Sequence, residues 1–301
     1  MTDSSDRSSR FTVTTADGLN IQGIRIKPQK SAFSLIVVHG VGEHLERYLS
    51  FAKKISATNC TCYLYDQRGH GNSDGKRGHI SKFEDYSNDL LKIYDLVSSE
   101  SQGHPNFVYG HSMGSIVAVL FALNHQAKIK GLILTGFPFK PSIPISGYRL
   151  KLIKMIGKTI PLQSIPTMIN VKQLSHDEDV CNAYEQDTMI NKTVTFNWIA
   201  EFYSALDRLK KNLVNLELPL LIMHGGEDTI ARLKGAKQAV QLIHSKDKTF
   251  QIFEGQRHEL LNELPPTPDQ VIDQMQNWIQ LQLQKLSSEK AAIQKEKNLE
   301  L

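Results

Sequence analysis

The chain of 301 residues is 40% apolar with a formal net charge of +4, enough for two small domains or one large core. No run approaches the roughly 18 apolar residues of a membrane span, and Met1-Thr2-Asp3-Ser4-Ser5-Asp6 lacks the apolar centre of a signal peptide, so a soluble cytoplasmic protein is expected. Cys60, Cys62 and Cys181 form neither a disulfide framework nor a metal spacing, and so small and dispersed a charge argues against nucleic acid as a partner.

After a polar tail expected over residues 1–10, Phe11-Thr12-Val13-Thr14 and residues 19–26 alternate apolar and polar around Ala16-Asp17-Gly18, which predicts a hairpin. Leu35-Ile36-Val37-Val38 reads as a strand buried on both faces. It ends in His39-Gly40-Val41-Gly42-Glu43-His44, and helix-compatible sequence resumes over 47–57. Cys62-Tyr63-Leu64-Tyr65 predicts the next strand, with the two cysteines two apart on one buried face. It runs into Asp66-Gln67-Arg68-Gly69-His70-Gly71-Asn72-Ser73, which is Gly-rich but has no P-loop lysine and reads as a structural turn. Residues 83–98 have helical periodicity, with Tyr86, Leu90, Ile93, Tyr94 and Val97 on one side.

Asn106-Phe107-Val108-Tyr109 and the apolar run 115–123 then bracket Gly110-His111-Ser112-Met113-Gly114, a serine on a strand-to-helix turn. Such a turn strains the backbone, and the flanking glycines tolerate it because neither carries a Cβ. The helix N-terminus beneath Ser112 favours developing negative charge. Gly131-Leu132-Ile133-Leu134-Thr135 completes an alternation of strand and helix that predicts a parallel sheet covered on both faces.

Over 137–216 the strand signal disappears and helical stretches dominate, including 181–187 and 196–211. Connections are usually about 2–6 residues, so this stretch is expected to be a helical cap between the sixth and seventh strands. The sheet returns with residues 218–223 and ends with 249–253, joined by a helix over 232–243, so that the second part of the core spans 217–286. A final helix is expected over 271–286, followed by a charged tail, 287–301, that is either a frayed extension or disordered.

Polar clusters fall after the last two strands, where parallel sheets bind ligands. Asp228 follows one and His258 the other, in the chain order Ser, Asp, His. His258 would take the serine proton and Asp228 would fix the imidazole tautomer, with Glu227 as the fallback acid. The tetrahedral oxyanion needs donors, assigned to Met113 N–H and Val41 N–H. His39 is expected to support its loop rather than carry a proton.

His39-Gly40-Val41-Gly42-Glu43-His44 with Arg47-Tyr48, the Asp66–Ser73 motif, the serine turn, and His258-Glu259-Leu260-Leu261-Asn262-Glu263 resemble the monoacylglycerol lipase/lysophospholipase group of α/β-hydrolases. The resemblance covers about residues 11–283 in motif order. It implies the α/β-hydrolase fold and cofactor-free, metal-free hydrolysis of a single-chain lipid ester through an acyl-enzyme. Glu43 and Arg47 match positions that help hold the glycerol head group in mammalian-type members. Those enzymes place a further histidine three residues after the catalytic one, where this chain has Leu261, and Ser115 replaces the glycine common after the serine turn.

Between Glu100 and Asp177 there is no acidic residue, while Arg149, Lys151, Lys154 and Lys158 punctuate an apolar stretch. A basic amphipathic segment over 145–160 suits peripheral contact with an anionic membrane, and its alternative is a cap helix whose apolar side faces the site. Against the lipid esterase stand a carboxylesterase or thioesterase for small acyl esters and a non-catalytic hydrolase-fold binding protein. An aspartate in place of Ser112 would have indicated an epoxide hydrolase or dehalogenase, and a peptidase would need cap carboxylates such as Asp177, Glu178 and Asp179.

Overall fold

The computed structural model describes residues 7–140, 147–167 and 169–299. An eight-stranded sheet is built from β1 (Arg7–Thr14), β2 (Asn20–Lys27), β3 (Phe33–Val38), β4 (Cys60–Tyr65), β5 (Asn106–His111), β6 (Gly131–Thr135), and two strands after a long insert, β9 (Leu220–Gly225) and β10 (Lys248–Phe253). The insert carries the short strands β7 (Ser164–Pro166) and β8 (Thr193–Thr195). The sheet order is β1-β2-β4-β3-β5-β6-β9-β10. β1 and β2 pair antiparallel, as do β2 and β4, and every other neighbour is parallel.

Period-2 alternation sends successive side chains to opposite faces, and the β-branched strands are buried on both. Ile36 and Val38 of β3 join a core with α2 (Glu84–Glu100) and α3 (Met113–His125), together with Ala239 of α7 (Leu233–Leu242). Leu35 and Val37 face α1 (Leu49–Ser56) and Met275, Trp278 and Ile279 of α8 (Thr267–Leu299) on the other side. Helices on both faces leave the carboxyl ends of the parallel strands open, and that edge carries the site.

Two expectations are corrected, and one alternative is decided. Residues 7–10, read as tail, pair with Ile24–Lys27 in β1; the ladder holds them although Ser8, Ser9 and Arg10 are exposed. α8 runs on to Leu299, the helical one of the two alternatives expected for the tail, because Glu, Lys, Ala and Gln are good helix formers even without a core to join. The insert is not wholly helical: α4 (Gly147–Thr159), α5 (Glu178–Gln186) and α6 (Phe196–Asn212) accompany the antiparallel pair β7 and β8. Ile145 of the basic segment, with the outermost residues of both tails, lies outside the described residues.

The Asp66 motif is structural, as its composition suggested. Asp66 Oδ1 accepts from Leu45 N at 2.7 Å and Oδ2 from Asn72 N at 2.7 Å. A Cβ at Gly71, whose φ is +47°, would lie 2.2 Å from that carboxylate. Arg68 joins Asp17 of the hairpin to Asp89 of α2. The turn thereby braces the loop after β3.

Candidate active site

Ser112 stands between β5 and α3 with φ 50° and ψ −121°. A non-glycine residue in this region carries strain that the surroundings must overcome. The strain falls on the serine itself, while the flanking glycines permit close approach. A Cβ at Gly110 would meet Gly114 O at 2.6 Å, and one at Gly114 would meet Val38 O at 2.2 Å. Ser115 Oγ donates to Ser112 O at 2.5 Å, which further fixes the turn.

The chain brings the three expected residues together from the ends of β5, β9 and β10. Ser112 Oγ lies 3.0 Å from His258 Nε2, and His258 Nδ1 lies 2.7 Å from Asp228 Oδ2. The second carboxylate oxygen of Asp228 accepts from Ile230 N at 2.9 Å and Ala231 N at 2.8 Å, so it cannot rotate away. Glu227, the fallback acid, is exposed. Burial alone would push His258 down, but the Asp228 carboxylate holds its pKa above the ordinary histidine value. Burial would raise Asp228, and the His258 charge and hydrogen bond bring it below the usual carboxylate range.

A further ring lies against this pair. His111 is 4.9 Å from His258 between centroids. Burial pushes its pKa down to about 3, so it stays neutral and does not repel an imidazolium. Its Nδ1 lies 3.0 Å from Thr135 Oγ1.

The loop after β3 lies directly over Ser112, since a Cβ at Gly40 would come within 3.3 Å of Ser112 Cβ. Gln67 N–H donates to His39 Nε2 at 2.9 Å, which leaves the His39 proton on Nδ1 to reach Gly40 O at 2.7 Å. His39 therefore supports the loop. Val41 and Met113 both border the cavity at Ser112. Glu43 Oε2 accepts Gly40 N–H at 2.6 Å and Tyr48 O–H at 2.7 Å. Burial would raise Glu43, but the Arg47 guanidinium and other nearby charges lower it to about 2. Arg47, its side chain largely buried, lies under the Tyr184 ring, 4.7 Å from its centroid, and pairs with both Glu43 and Glu259.

From this polar end a cavity of about 270 Å³ extends between the sheet edge and the insert. Its walls are apolar, with Ile153, Ile165, Trp198 and Phe202 supplied by the insert and Met113 by α3. Asp177, Glu178 and Asp179 do not border it: Asp177 caps α5 by accepting from Asp179 N and Val180 N, and the other two are exposed. Leu261, three residues after His258, packs against the core that includes α8. Among the described residues, Glu43, His111 and Glu259 come near enough to share a cation. Arg47 already neutralises both carboxylates, so the donor set does not fit a resident metal.

Glu259 and Tyr184 are members of the site that carry almost no mark in the sequence. The one hint was an acidic residue immediately after His258; the insert residues gave none, because their approach depends on docking of distant elements.

A serine, histidine and aspartate in hydrogen-bonded series, closed over by a glycine loop, are the arrangement of a serine hydrolase. The chain belongs to the family described as serine aminopeptidase, S33, whose profile matches residues 29–265. It is 30% identical to the human monoglyceride lipase over 273 residues, covering 89% of each chain. It is 27% identical to the monoacylglycerol lipase of Mycolicibacterium smegmatis, covering 81% of this chain and 87% of that one. Its fold matches that of a soluble variant of the Saccharomyces cerevisiae monoglyceride lipase, solved with a substrate analogue, with a TM-score of 0.79 and 23% identity over 94% of this chain and 96% of that one.

Proposed function

We propose that this protein cleaves the ester of a single-chain lipid, a monoacylglycerol or lysophospholipid, to a free fatty acid through an acyl-enzyme. The observation that carries the reading is the apolar cavity ending on Ser112 and His258. An acyl chain fits its walls, and its ester carbonyl then sits beside the hydroxyl. Ser112 Oγ attacks the carbonyl carbon while His258 Nε2 takes its proton. Val41 N–H and Met113 N–H receive the oxyanion, each worth about 3 kcal/mol of barrier. The imidazolium, held by Asp228, returns the proton to the departing alcohol, and water repeats the cycle on the acyl-enzyme. Glu43 and Arg47, at the polar end, are assigned to the head group.

The same reading places α4 at a lipid surface. No described helix is long and apolar enough to cross a membrane. On α4, however, Tyr148, Leu152 and Met155 form an i, i+4, i+7 stripe that is 74%, 47% and 59% exposed. Lys151, Lys154 and Lys158 flank it, while Gly157 packs on α6 and Ile153 borders the cavity. An exposed apolar stripe beside a basic one on the wall of the cavity suits peripheral contact with an anionic membrane.

The test is hydrolysis of 1-monooleoylglycerol, lysophosphatidylcholine and p-nitrophenyl butyrate by wild type and Ser112→Ala. Fatty-acid release from either lipid, lost in the variant, is expected. Turnover of butyrate alone would replace the lipid substrate with small esters, and no turnover of any would favour a binding protein.

A further inference from the structure

Three buried ionisable side chains outside the Ser112–His258–Asp228 series form one continuous chain of contacts. It begins at Gly40 N–H, held at 2.6 Å by Glu43 Oε2. The other oxygen of Glu43 lies 3.2 Å from Arg47 Nε, and Arg47 Nη2 pairs with Glu259 Oε2. That oxygen also accepts from Asn262 Nδ2 at 2.8 Å, and Glu259 N–H donates to Leu174 O of the insert at 2.8 Å. One end of the chain is thus the amide before Val41, and the other is the residue after His258.

Taking two carboxylates and a guanidinium out of water is costly, and apolar side chains of similar volume often serve stability as well or better. Stability alone therefore does not account for the arrangement. Stacking on Tyr184 restrains Arg47 on one face. Its two carboxylates, one from the loop after β3 and one from the residue after His258, set its position along the remaining direction.

We propose that Glu259 is a positioning residue, which acts through Arg47 and Glu43 to hold the loop bearing Val41 N–H in fixed register with His258. This inference rests on the esterase reading of the site. When Glu259 is lost, Arg47 is drawn wholly to Glu43, and the carboxylate that anchors Gly40 N–H shifts with it. The oxyanion donor then leaves its place while Ser112, His258 and Asp228 keep theirs. The defect falls on the chemical step rather than on binding.

The experiment uses p-nitrophenyl butyrate, which has no polyol head, so that a head-group contact of Glu259 does not enter. Rates are read on the alkaline plateau, because the Glu259 charge also helps raise His258 and its loss moves the acid limb. Glu259→Leu is expected to lower kcat by about tenfold or more, as misplacement of a reacting group does, with KM changed by less than about twofold. Glu259→Gln, nearly isosteric and still an acceptor for Arg47, falls between wild type and Glu259→Leu and keeps the test decisive if the leucine variant fails to fold. In an Arg47→Met background, Glu259→Leu should cause no further loss, since the path is already cut. Unchanged kcat in both Glu259 variants, a loss confined to KM, or multiplying losses in the double variant would overturn the proposal. Wild type that turns over no ester would instead overturn the esterase reading itself.

Discussion

Gly114→Ala tests how the serine turn is held against the loop after β3. The added Cβ would lie 2.2 Å from Val38 O and 2.5 Å from His39 O, both main-chain atoms with no flexible side chain to yield. Relief needs α3 and the loop to separate by about 1 Å in a close-packed interior. Overpacking of this kind costs roughly 3 kcal/mol, which in a chain of this length lowers the melting temperature by about 5 °C. The same shift carries Ser112 and Met113 away from Val41, and a misplacement of about 1 Å costs on the order of 100-fold in rate. Thermal melts and kcat for p-nitrophenyl butyrate measure the two effects. Gly103→Ala is the control, because Gly103 also has positive φ (+82°) but nothing within 4 Å of its Cβ position. It should lose about 1 kcal/mol of stability and no activity. Wild-type kcat and melting temperature in Gly114→Ala would refute the reasoning.

The pH dependence follows from His258, whose pKa the Asp228 carboxylate raises against the effect of burial. Protonated His258 cannot accept the serine proton, so kcat/KM should fall on acidification with a midpoint above the ordinary value of about 6.5. Asp228→Asn should lower kcat by about 10⁴-fold and move the residual limb to lower pH. Replacing Lys151, Lys154 and Lys158 with Glu should weaken binding to anionic vesicles by about 100-fold or more, since each lysine near such a surface is worth about 1 kcal/mol. Hydrolysis of p-nitrophenyl butyrate should be spared, and equal loss of both activities would mean that the insert was damaged instead.

The sheet and the Ser112, Asp228 and His258 positions were legible because their signals are local. β3, β5 and β6 are short β-branched or aromatic runs, and each polar cluster follows directly on a strand. The edges were less legible. The first residues of β1 are polar and are held by a ladder to β2 rather than by a core, and β7 and β8 are three residues each, too short for a periodic signal. α4 presents apolar residues both to the cavity and to solvent, so its periodicity alone does not say which face is buried. Glu259 was visible as a letter in a motif, but its partner Arg47 lies more than two hundred residues earlier, and only the closure of the sheet brings them together.

The most direct test of the acyl-enzyme account is mass spectrometry of the protein after exposure to a long-chain alkyl fluorophosphonate. A single adduct on the peptide containing Ser112, formed in wild type, absent in Ser112→Ala and slowed by 1-monooleoylglycerol, is the predicted result. No adduct, or one on another residue that forms equally in Ser112→Ala, would contradict it.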